Sequence, residues 1–278
     1  MLGREWKVER IGKENTCMVK LSKVIKKSVA DRLIDIAVQK KDSSPDSALA
    51  LFIDYCLKAF DVSHTLKTDD YLSWVESVVK TDEDYKDIMI EWLTKVNESL
   101  ANNKPYDFFG TTYEELFQSR GKATTLGQFF TPINVAQLMA SLSYDLDVAE
   151  EIVRVYDCCS GSGRLLLGHV YMRLNDKETA NKHKYFYVAD DIDLISCKMS
   201  ALNLMVHSCY GCVCCRDVLL NDAPHTVYLV NEVQVPYQSM VMSVRCIAGD
   251  EAASWWNNGG IYKMEQAYNL ALSKRNAI

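Results

Sequence analysis

At 278 residues the chain is long enough for one large domain or two modest ones with a substantial core. Its hydrophobic fraction of 48% and charged fraction of 24% are ordinary for a globular protein, and its net charge of −6 excludes holding nucleic acid by bulk electrostatics, leaving only a local basic face or a partner that carries the positive field. No apolar run approaches the ~20 residues of a membrane-spanning helix, residues 1–13 lack the apolar stretch of an export signal, and ten cysteines without such a signal point to free thiols in a reducing cytoplasm.

From residue 22 to residue 63 the pattern predicts helix. Val24, Ile25, Val29, Leu33, Ile36 and Ala37 recur at three- and four-residue steps. Lys20, Lys23, Lys26 and Lys27 form a basic cluster there, read as a solvated helix face rather than a DNA contact. Residues 40–46 break the helix at Ser43-Ser44-Pro45, and Asp46 or Ser47 caps the next one. That second helix carries Leu49, Phe52, Ile53, Cys56, Leu57 and Phe60 on one stripe. Residues 71–100 predict one or two more helices, with Trp74, Val78, Ile88, Trp92, Leu93 and Val96 turned inward, and a short helix runs through Tyr113, Leu116 and Phe117. The expectation is an all-helical N-terminal domain over residues 1–120.

Residues 121–127 are polar and carry Gly, as a hinge would. Pro132 suits the first turn of a helix reaching Ser143, where its missing N–H costs nothing. The pattern then alternates. Strands are predicted over 152–156, 185–189 and 211–216, helices over 164–174 and 194–207, and a β-rich run over 227–233. A closing helix carries Ile261, Met264, Ala267, Tyr268 and Ala271. This order predicts an α/β fold with a parallel, doubly wound, Rossmann-like sheet over residues 121–278.

The chemistry concentrates at the predicted strand ends. The first runs into Asp157-Cys158-Cys159-Ser160-Gly161-Ser162-Gly163, where Gly161 and Gly163 permit the close backbone approach that a ligand at a sheet edge demands. The second ends in Asp190-Asp191-Ile192-Asp193. Asp191 is placed to accept both hydroxyl hydrogens of a ribose, while Asp193 starts the next helix. The third ends at Arg216-Asp217, whose carboxylate either takes a hydrogen bond from an adenine amino group or caps a short turn. Cys209, Cys212, Cys214 and Cys215 lack the second, separated pair of a structural zinc site and read as small buried thiols. Trp255 and Trp256 either fill the core or form a contact surface.

These residues in this order resemble the adenine-N6 DNA methyltransferases, specifically the modification subunits of type I restriction-modification systems, over roughly residues 104–237. Asp107-Phe108-Phe109-Gly110-Thr111-Thr112-Tyr113-Glu114 resembles the family's approach segment, and Gly127–Pro132 its cofactor-covering turn. The resemblance implies S-adenosylmethionine as cofactor, held by Asp157, Ser160, Gly161, Gly163, Asp191 and Asp217 under Phe130, Thr131 and Pro132. It implies methyl transfer to adenine N6 in DNA, with a specificity subunit as partner.

The family's fourth element is Asn or Asp, two prolines, then Tyr or Phe, because an amide or carboxylate oxygen and a backbone carbonyl must accept the hydrogens of a delocalised amine while the ring stacks on the flipped base. Here the best-placed tetrapeptide is Gln234-Val235-Pro236-Tyr237, so Gln234, Pro236 and Tyr237 are the catalytic candidates. Asn231 is the other conceivable anchor, followed by Glu232-Val233. The stretch after Tyr237 is too short for the family's remaining strands, so a domain incomplete at its C-terminal end is expected. The rival reading is a catalytically silent binding protein that keeps the fold.

Overall fold

In a computed structural model the residues described are 5–9, 20–24, 27–39, 45–61, 83–118, 130–144, 152–176, 184–234, 239–240 and 242–275. The predicted hinge and the Pro236-Tyr237 pair lie outside them. The first elements correct the expectation of an all-helical N-terminus: β1 (Glu5–Glu9) and β2 (Lys20–Val24) form an antiparallel hairpin. Glu5–Glu9 alternates polar and apolar residues with a period of two, whereas Lys20–Val24 does not and takes strand form through its pairing with β1.

Four helices follow: α1 (Val29–Gln39), α2 (Pro45–Phe60), α3 (Glu83–Leu100) and α4 (Phe108–Gln118). Their stripes meet in a buried aromatic cluster, in which the Trp92 and Phe109 rings lie 4.8 Å apart and Phe52 packs against Tyr85 and Phe109. The same cluster continues into Leu166, Tyr187, Met199, Leu202 and Val213. The helical segment and one sheet face therefore share a single core.

The sheet contains β3 (Ile152–Asp157), β4 (Lys184–Asp191), β5 (Tyr210–Cys215), β6 (Thr226–Val230) and β9 (Val244–Ala248), in the order β3-β4-β5-β6-β9. Alternation along β4 and β5 sends Tyr185, Tyr187 and Val213 into the first core and Phe186, Val188, Cys212 and Cys214 into a second one on the other face. Cys214 and Cys215 accordingly point to opposite sides. Among the described residues no group of three His, Cys, Asp or Glu side chains is arranged to hold a metal ion. No described helix is long and apolar enough to cross a membrane.

Helices α6 (Arg164–Asn175) and α7 (Leu194–Val206) follow β3 and β4, and α8 (Asp250–Asn257) and α9 (Gly260–Arg275) close the second face. Ahead of them α5 (Ile133–Ser143) lies against α6 so closely that a Cβ on Gly168 would sit 2.5 Å from the Ala136 carbonyl oxygen.

Only the β3–β4 and β4–β5 pairings of this sheet are parallel; β6 and β9 each run antiparallel to the strand before them in the sheet. This corrects the expected all-parallel sheet. Residues 216–225 carry no helix, and a parallel return needs a crossover of a dozen or more residues, so the chain turns straight back. The carboxyl end of β6 therefore lies beside the amino end of β5. There Asn231 leaves the strand at φ +51°, is buried, donates through Nδ2 to the carbonyls of Met205 and Cys209, and accepts from the Ser243 N–H through Oδ1. Beyond it Val233–Gln234 (β7) pairs with Ser239–Met240 (β8).

His207, at the end of α7, ties the stretch before α4 to the α/β core. The Tyr106 N–H donates to its Nε2 at 3.0 Å, and its Nδ1 lies 2.6 Å from the Asn203 carbonyl oxygen, which sets the Nδ1–H tautomer. Burial, aided by Arg173, pulls its pKa down to about 4, and burial does the same for His169. A histidine held neutral in the fold contributes stability that is complete above its unfolded pKa of about 6.5 and lost as pH falls from there toward 4. The denaturation midpoint is expected to drop over that window, and His207→Gln to flatten the drop; an equal slope in the variant would remove His207 from this role.

Candidate cofactor site at the carboxyl edge of the parallel strands

The register places Asp157 opposite Ala189 and Asp191 opposite Cys215, so β4 and β5 end level and β3 stops two residues short of them at the same edge. Past the end of β3 the chain turns through a Gly loop. Gly161 and Gly163 adopt φ +53° and +89°, the left-handed region that L side chains rarely enter, and Gly163 caps α6. The Asp191 carboxylate secures this loop to its neighbour. Oδ2 accepts from the Gly161 N–H at 2.8 Å, and Oδ1 from the Asp193 N–H at 2.9 Å. The Ser160 N–H donates to the Asp190 carbonyl, and the Arg216 N–H to that of Asp191. Asp193 caps α7 by accepting from the Ser196 N–H, the role its position implied.

Between these ends lies a hollow of about 550 Å³ lined by Phe130, Cys158, Cys159, Gly161, Asp191, Ile192, Ser196, Arg216, Asp217, Val218 and Leu219, within the range of small-ligand sites. The Phe130 ring closes one side, so near Gly161 that a Cβ there would meet it at 3.0 Å. Exposed Ile192 and Leu219 supply apolar walls. Asp217 also forms a turn, its Oδ1 accepting from the Leu219 N–H, and its other oxygen has no such bond among the described residues. Turn and lining are thus compatible, and the carboxylate serves both.

Of the predicted cofactor residues, Phe130, Gly161, Asp191 and Asp217 line the hollow. Thr131, Pro132, Asp157, Ser160 and Gly163 are not among its lining residues. Pro132 immediately precedes α5, and the Thr131 carbonyl faces Arg164. Asp157 accepts from the Cys159 N–H through Oδ1, while its buried Oδ2 has no hydrogen-bond partner among the described residues. Burial, with Asp191 and Asp190 nearby, raises its pKa. Gln234 is not brought to this edge. It lies beyond β6, past Asn231, about one strand-length (roughly 17 Å) from the Asp217 end of β5.

Arg216 is the one cation in the described lining; its Nε and Nη2 are paired, while its buried Nη1 has no hydrogen-bond partner among the described residues. Its Nε and Nη2 donate to Asp190 Oδ2 at 3.0 and 2.7 Å, and its guanidinium lies 4.4 Å from the Trp256 ring centroid. Tyr156 donates to the same oxygen, and burial followed by Asp190 pushes its phenol up to about 12. Trp256 is thereby explained as a stacking platform, and Trp255 packs on the second core.

A second polar group was not foreseen from sequence. Buried Asp107 accepts from the Gly110 N–H and Asn203 Nδ2 through Oδ1, and from Ser162 Oγ and Arg164 Nε through Oδ2. Arg164 also grips Glu114 with two 2.8 Å bonds and lies 5.5 Å from the Phe130 ring. The approach segment, the Gly loop and the aromatic lid are therefore fixed by one buried ion network. An arginine directly after the second glycine of the loop was the available signal.

Removing one partner of a buried ion pair typically costs about 3–5 kcal/mol because the other is stranded. Asp107→Ala is expected to lower unfolding free energy by that order, measured by urea denaturation, whereas Glu114→Ala, at a more exposed position, costs less. Equal small losses would show that the network does not fix the loop.

Residues 104–233, less than half of the chain, match the family model of N-6 DNA Methylase. No curated protein and no solved structure matches the chain. The matched segment contains Asp107, the Gly loop, Asp191, Asp217 and Asn231, so the portion that builds the hollow is similar to the N-6 DNA Methylase family.

Proposed function

We propose that the chain binds S-adenosylmethionine in this hollow and is a DNA adenine-N6 methyltransferase-like protein akin to the modification subunits of type I restriction-modification systems. One observation carries the cofactor reading: the hollow offers carboxylate oxygens with lone pairs to spare between apolar walls, and the one cation in its described lining is ion-paired to Asp190. Each Asp191 oxygen accepts one backbone N–H, which leaves lone pairs for two ribose hydroxyls. Asp217 keeps an oxygen for an adenine amino group, and Phe130, Ile192 and Leu219 flank a planar base. The Asp191 and Asp217 carboxylates that line the hollow favour a cation and, by like-charge repulsion, disfavour the phosphates of a dinucleotide.

When bound, the cofactor supplies a methyl group activated by a sulfonium. The chain's own residues orient the nucleoside, exclude water through the Phe130 lid, and hold the carboxylates as acceptors. Methyl transfer further requires an acceptor for the amine hydrogens beside the reacting face, after which the proton leaves to solvent; the resemblance gives that role to Gln234, Pro236 and Tyr237, of which Gln234 lies beyond β6, away from the hollow. DNA and a specificity subunit are the partners on this reading, and the protein acts in the cytoplasm.

A second reading is favoured by the reversal of β6. Asn231 is consumed by backbone contacts at the far edge, and among the described residues no Asn or Gln amide lines the hollow. On that reading the chain binds cofactor and engages a complex without transferring methyl.

Calorimetry with S-adenosylmethionine is expected to give one site per chain. Asp191→Ala is expected to weaken it about a hundredfold or more, since two hydrogen bonds to a charged acceptor are worth ~3 kcal/mol or above together. Absence of heat from the folded wild-type chain overturns the cofactor reading. Tritiated methyl incorporation into unmethylated DNA, with and without a specificity subunit, then decides between transfer and silent binding.

A further inference from the structure

The hollow contains two groups that the proposed cofactor role leaves unused. Cys158 and Cys159 are adjacent, both exposed, and both line the cavity. Side chains of consecutive residues in a strand point to opposite faces, but these two sit in the turn after β3, where the backbone bends and both thiols face the same space. Cys56, Cys197, Cys209, Cys212, Cys214 and Cys215 are buried, and the other exposed thiol among the described residues, Cys246, sits on β9 away from this pair.

We propose that Cys158 and Cys159 form a covalent ligand site, a vicinal dithiol that captures trivalent arsenic bidentately and thereby obstructs the hollow. With an aryl arsenoxide the balance is simple. Two As–S bonds form, the As=O bond breaks, and both thiol protons leave with its oxygen as water, with no net oxidation or reduction. The surroundings favour this over disulfide exchange. Desolvation, the neighbouring Cys158 thiol, Asp191 and Asp157 together raise the Cys159 pKa, so the Cys159 thiolate that would attack a disulfide is scarce. Arsenic condenses with thiols, and two adjacent ones close a chelate ring that a single thiol cannot. The obstruction rests on the reading of the hollow as the cofactor site; the capture does not.

The test treats the folded full-length chain with phenylarsine oxide and maps adducts by mass spectrometry after a monothiol wash and after a dithiol wash. One aryl-arsenic per chain is expected on the peptide holding both cysteines, resistant to the monothiol and released by the dithiol. Cys158→Ser and Cys159→Ser are each expected to lose the resistant adduct, and Cys246→Ser to keep it. An adduct stripped from the wild type by monothiol, or retained in Cys158→Ser, overturns the proposal. Capture is read without the cofactor, so a chain that captures arsenic but gives no heat with S-adenosylmethionine counts against the cofactor reading alone.

Discussion

Three short parallel strands end side by side, and the direction of those strands governs what the protein can do. Because β3, β4 and β5 share one direction, Asp157, Asp191 and Asp217 arrive at the same edge from positions far apart in the chain. Asp191 then joins two of the turns by accepting N–H groups from Gly161 and Asp193. The hollow is thus a consequence of parallel pairing plus glycines that bend where no side chain fits. Reversing one strand would carry its acid to the opposite side. That is what happens to Asn231.

The hollow is held from outside as much as from within. Buried Asp107 and Arg164 are costly to desolvate, and each is matched by several partners, so the pair gives a defined geometry more than net stability. Its members come from α4, the Gly loop, α6 and α7. Any shift of the approach segment is felt at the loop that faces the ligand. His207 adds a second tie between the same segment and α7. The polar contacts and the shared aromatic core together make the helical segment a structural support for the site.

Much of the site was legible because its requirements are local. A left-handed turn asks for glycine, and Gly161 and Gly163 meet it; a helix start asks for a cap, and Asp193 supplies one. Acids at successive strand ends needed only the alternation of strand and helix to be read. Strand direction was not local in this sense. The run at 227–233 has the same apolar character whether parallel or antiparallel, and only the short link over residues 216–225 signals the return. The hairpin of β1 and β2 was hidden by lysines and valines that fit a helical period equally well. The Asp107–Arg164 network was invisible for another reason: a pairing across some fifty residues leaves no trace in spacing.

The claim on which this account stands is that the ends of β3, β4 and β5 together cradle a nucleoside. A crystal structure of the chain grown with S-adenosylmethionine measures this most directly. The account predicts the ribose against Asp191, the adenine between Ile192 and Leu219 near Asp217, and the Phe130 ring over the ligand. A ligand seated elsewhere, or a rim whose three carboxylates face away from it, would contradict the account.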